Sequence, residues 1–81
     1  MTRDQIQGIV TATISDTFNH PREIICSDTV ADDVDGWDSL SHTILMVRLQ
    51  NRLGIIIPEA VAAGSETVGG LIDNLYDLLR G

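Results

Sequence analysis

Ser39 and His42 are the side chains whose types and spacing first suggest chemistry. They stand three apart, so on a helix the two can approach each other. A serine beside a histidine is the beginning of a hydrolase. The surrounding sequence supplies none of the remainder: no Gly-x-Ser-x-Gly elbow, no strand leading into the serine, no oxyanion hole. A small helical chain also leaves little room for a substrate cleft, so no enzymatic activity is expected. A second chemistry suits Ser39 better. Asp38 is a good helix N-cap, because its carboxylate accepts free backbone N–H groups of the first turn. Ser39 then sits in that turn, exposed, at the positive end of the helix dipole. That place favours a phosphate group.

The element that positions Ser39 is a helix with two apolar faces. Gly36 interrupts the chain before it, fourteen residues without Gly or Pro run from Leu40 to Leu53, and Gly54 is a natural C-terminal residue. At 3.6 residues per turn, Leu45, Met46, Leu49 and Leu53 share one face, with His42 on the same side. Leu40, Ile44 and Val47 fall roughly opposite, flanked by Thr43 and Asn51. A chain this small cannot cover both faces of one helix. The second stripe is therefore expected to be an exposed partner-binding surface. A helix sandwiched inside a larger core is the bland alternative.

Three further helices are expected around it. Thr2-Arg3-Asp4-Gln5 matches a capping box, and Ile6, Val10 and Ile14, widened by Ile9, Thr13 and Phe18, mark an amphipathic helix ending near Asn19-His20-Pro21. A long connection follows over residues 19 to 38, with Ile24, Ile25, Val30 and Val34 expected to pin it to the core. Ile55-Ile56-Ile57 reads as an extended link with buried isoleucines. Pro58 then suits the first turn of a short helix over Glu59 to Ala63. Thr67 caps a last helix whose Val68, Leu71, Ile72, Leu75 and Leu79 share a face. Gly69 and Gly70 weaken its first turn by roughly 1 kcal/mol each.

Composition excludes several functions. The chain has 81 residues, read as one domain over 1–81, with twelve acidic residues, five arginines, no lysine and a net charge of −7. Nucleic-acid binding is not expected, since phosphate contacts need a basic patch. The loop aspartates 28, 32, 33, 35 and 38 lack the EF-hand pattern, so no metal site is expected. Cys26 is the only cysteine. It forms no internal disulfide and is expected to be small and partly buried. No apolar run reaches membrane-spanning length, and the first residues lack a signal-peptide core. A cytoplasmic, monomeric protein is expected.

Gly36-Trp37-Asp38-Ser39-Leu40-Ser41-His42, together with the order of elements over nearly the whole chain, resembles the acyl carrier protein family, free-standing type. The resemblance implies an all-α fold: a four-helix bundle with three longer helices, a short third helix and a long loop between the first two. It implies that Asp38-Ser39-Leu40 is the attachment motif and that Ser39 carries phosphopantetheine, donated by coenzyme A. The arm would hold an acyl or aminoacyl group as a thioester in a fatty-acid, polyketide or related biosynthetic pathway. Implied partners are a phosphopantetheinyl transferase, an acyl- or aminoacyl-activating ligase, and synthase or acyltransferase enzymes. Trp37 before Asp38 resembles acyl carriers more than peptidyl ones. An aminoacyl or peptidyl carrier stays open, as does an unmodified helix-groove interaction module using Leu40, Ile44 and Val47. By the same resemblance His42 borders a cavity that can hold cargo. Not one acid lies between Asp38 and Glu59, unlike the acidic second helix of housekeeping carriers. Docking through apolar contacts in a specialised pathway is expected.

Overall fold

The computed structural model describes residues 1–80. Among them the chain forms four helices and no strand: α1 Arg3–Phe18, α2 Ser39–Leu53, α3 Glu59–Ala63 and α4 Val68–Arg80. Local signals set these boundaries. Thr2 Oγ1 accepts from Gln5 N–H at 3.1 Å, and Gln5 Oε1 accepts from Thr2 N–H at 2.8 Å. This reciprocal pair starts α1. Asn19, in the left-handed region at φ 52°, ends it. Gly54 ends α2 at φ 69°, a conformation that costs glycine nothing.

Both α2 and α4 pack against α1, and the short α3 lies on α4. One cluster of buried side chains fills the space between them. Ile6, Val10 and Ile14 of α1 meet Leu45, Met46, Leu49 and Leu53 of α2 and Val68, Leu71, Ile72 and Leu75 of α4. Thr13 is buried among them yet satisfied. Its hydroxyl donates to the Ile9 carbonyl at 2.6 Å and accepts from Arg52 at 2.9 Å. Arg52 also reaches Asp16 at 3.0 Å, and Arg48 reaches Thr17 at 3.2 Å, so both arginines turn toward α1. Arg3 clamps Asp73 of α4 through two donors to one carboxylate oxygen, at 2.6 and 2.9 Å.

Two backbone bonds tie the long loop to α4. The loop contains two single 3₁₀ turns, Arg22–Ile24 and Ala31–Asp33. The carbonyls of Thr29 and Ser27 accept from the N–H groups of Val68 and Gly69, both at 2.9 Å. These bonds satisfy donors that the start of α4 would otherwise leave free. The approach explains Gly69. A Cβ there would lie 2.9 Å from Ser27 Cβ and 3.0 Å from its carbonyl oxygen. A residue expected to weaken α4 is thus the one that lets the loop dock on it.

Several expected burials differ. Of the four loop residues expected to reach the core, Val34 is buried and Ile25 and Val30 are half-buried, but Ile24 is exposed. Cys26 is exposed too, with its backbone N–H donating to Thr29 Oγ1 at 2.9 Å. Both sit in turns that satisfy their own backbone locally, so their side chains are free to face outward. In the link after α2, Ile57 is buried and Ile55 half-buried, while Ile56 is 84% exposed. An extended segment alternates its side chains, and Gln50 Oε1 holds Ile57 N–H at 2.8 Å with its side chain inward.

Candidate functional site

Gly36 sets the entry to α2. Its φ of 87° turns the chain, and its carbonyl accepts from the Ser41 hydroxyl at 2.6 Å. Asp38 then arrives extended and caps the helix. Asp38 Oδ1 accepts from Ser41 N–H at 2.9 Å, and Ser41 Oγ accepts from Asp38 N–H at 2.8 Å. Ser41 makes this a reciprocal box, with the carboxylate at the cap and the hydroxyl three residues on. The Ser41 backbone N–H, then the Ser41 hydroxyl, hold the Asp38 carboxyl below the ordinary carboxylate value; slight desolvation opposes them.

That shift has a sign. A carboxyl lowered in the folded state contributes stability above its unfolded value and loses it as pH falls through the folded one. The ordinary value is 3.8. We therefore expect Asp38→Asn to melt below wild type at neutral pH, with the gap closing as pH drops under that value. Thermal melts of both proteins across the acid range check this; a gap constant with pH counts against the cap as the cause.

Ser39 is exposed in the first turn and opens onto a groove of about 620 Å³ between the start of α2 and α3. The outward stripe of α2 is exposed as well: Leu40 74%, Val47 48% and Ile44 43%. Thr43 and Asn51 are exposed beside it, and Thr43 Oγ1 donates back to the Ser39 carbonyl at 3.2 Å. The opposite face, Leu45, Met46, Leu49 and Leu53, is buried. The helix is therefore not sandwiched. No known family model matches this chain, and no curated protein matches it in sequence.

His42 is not paired with Ser39. Its Nδ1 lies 3.0 Å from Trp37 Nε1, and its Nε2 lies 3.0 Å from the Ala62 carbonyl oxygen of α3. An indole nitrogen only donates and a carbonyl only accepts. Nδ1 is therefore the acceptor and Nε2 carries the proton. Both imidazole nitrogens are thus engaged away from the serine. Trp37 also stacks on Phe18, with ring centroids 5.1 Å apart, and the His42 ring lies 6.1 Å from the Trp37 ring. This stack joins the end of α1, the loop and α2. Sequence spacing hints at the Trp37–His42 pair, five apart, but carries no sign of Ala62, twenty residues on.

In the loop, the Asp33 carboxylate accepts from Val30 N–H at 3.1 Å, capping the second 3₁₀ turn. Among the described residues, no three His, Cys, Asp or Glu side chains converge as a metal site would require. No described helix is long and apolar enough to cross a membrane.

Proposed function

We propose that this chain is a carrier protein that bears phosphopantetheine on Ser39 and works as a cytoplasmic monomer in a specialised biosynthetic pathway. One observation carries the reading: an exposed serine in the first turn of a capped helix, opening onto a groove, beside an uncovered apolar stripe. The residues present suit the group. The helix N-terminus favours the phosphodiester anion, and the groove offers the arm a wall to lie along. When attached, the arm supplies a thiol that holds acyl or aminoacyl groups as thioesters.

In the loading step, Ser39 Oγ forms a bond to the phosphorus bearing the pantetheine of coenzyme A. The pyrophosphate P–O bond breaks, adenosine bisphosphate leaves, and the serine proton passes to a base of the transferase. Ser39 needs exposure for this rather than activation, which agrees with His42 being engaged elsewhere. Intact mass after incubation with a phosphopantetheinyl transferase and coenzyme A tests the proposal. One added phosphopantetheine supports it; an unchanged mass favours an unmodified interaction module.

The stripe of Leu40, Ile44 and Val47, with Thr43 and Asn51, is the proposed docking face for the activating ligase and synthase or acyltransferase partners. Arg48 and Arg52, turned toward α1, put little charge on it. Ile44→Glu is expected to weaken binding to the cognate ligase by about 2 kcal/mol or more, as loss of a desolvated anchor does. Its melting temperature should stay near wild type. Raising salt should weaken docking only mildly, because few charges are there to screen. Calorimetric titration at two ionic strengths reads both effects. A steep salt dependence, or full affinity in Ile44→Glu, would place docking elsewhere.

A further inference from the structure

Two spaces meet at His42. The outer one is the open groove of about 620 Å³, walled by Trp37, Glu59, Ala62 and Ala63, with Ser39 at its rim. The inner one is a recess of about 50 Å³, backed by Val68 and Leu71 of α4. Ala31, Trp37, His42 and Ser65 border both. The recess is an order of magnitude smaller, on the scale of a few waters rather than of an alkyl chain. Its other walls are Thr29, Glu66 and Thr67.

His42 stands on the border that a chain growing inward from Ser39 would cross. That ring is braced on both sides, by Trp37 Nε1 and by the Ala62 carbonyl, each at 3.0 Å. Trp37 is held in turn by its stack on Phe18. Moving the imidazole would break both bonds in a half-buried place and leave the partners unpaired. We infer that His42, braced by Trp37 and Ala62, is a gate that keeps cargo out of the bundle core, so that this carrier takes short acyl groups and leaves them in the outer groove. The inference rests on the carrier reading and names the cargo class that reading leaves open.

The test loads wild type and His42→Ala with butanoyl and octanoyl arms, using a phosphopantetheinyl transferase and the matching acyl-coenzyme A. Two quantities are read: the rate at which hydroxylamine cleaves each thioester, and the amide shifts of Val68 and Leu71. In wild type the two thioesters should be cleaved at rates within about twofold, less than the effect of burying one methylene. The Leu71 amide should not distinguish them. In His42→Ala the octanoyl thioester should be cleaved at least about fivefold more slowly, the scale of one to two methylenes withdrawn from water. Its Leu71 amide should move. Trp37→Phe keeps a stacking ring but removes the donor. It should loosen the gate in the same direction, and it serves if His42→Ala does not fold. Octanoyl protection in wild type, or none in folded variants, overturns the gate while leaving the carrier standing. No addition at Ser39 in any of the proteins overturns both.

Discussion

Ser39→Ala is expected to take up no phosphopantetheine while folding as wild type does. The serine hydroxyl is the only atom of its side chain able to form the phosphodiester, so the effect on loading is complete rather than graded. The fold should barely notice. Ser39 is exposed, and helix initiation belongs to Asp38 and Ser41, whose reciprocal bonds remain. A surface change of this kind shifts stability within about 0.5 kcal/mol. Intact mass and a melting curve on the same sample separate the two statements. Labelling that persists in Ser39→Ala would show that another hydroxyl accepts the arm. Ser41 is the neighbour to examine then, although its hydroxyl is already engaged with Gly36 and Asp38.

Leu49→Ala is expected to cost roughly 2–5 kcal/mol, the range for emptying a fully buried leucine site. Leu49 has no exposed surface and lies in the cluster that joins Val10 and Ile14 of α1 to Leu71 and Leu75 of α4. The neighbours belong to different helices, so no single movement closes the cavity. A domain of this size has on the order of 4–12 kcal/mol of total stability. The variant should therefore melt about 10 °C or more below wild type, or fail to fold. Ile56→Ala is the control. The same loss of apolar volume on an 84% exposed side chain should change stability by less than about 0.5 kcal/mol. Equal melting curves for Leu49→Ala and wild type would mean that α2 turns its other face inward.

Much of this structure is legible in the sequence because its signals act over a few residues. Thr2 with Gln5, Asp38 before Ser39, and Gly54 each start or stop a helix through bonds within one turn. The bounds Ser39–Leu53 of α2 accordingly agree with the reading from residue types. The 3.6-residue period also separates the buried stripe from the exposed one without reference to any other helix. Leu49 and Ile44 fall on the sides where periodicity puts them.

What lies beyond a turn or two depended on which surfaces meet. Hydrophobicity alone places Ile24 and Ile56 inside, and both are outside. Burial in a loop is decided by the direction each residue faces once the backbone is anchored, here through Ser27, Thr29 and Gln50. Gly69 carries a helix penalty when read within its own helix; its use is visible only with Ser27 packed against it. His42 is the sharpest case. Its position on α2 follows from its number in the chain, but its tautomer and its place between two spaces come from Trp37 and from an Ala62 carbonyl on another helix. A backbone carbonyl has no residue type to announce it, so no sequence pattern could point to that bond.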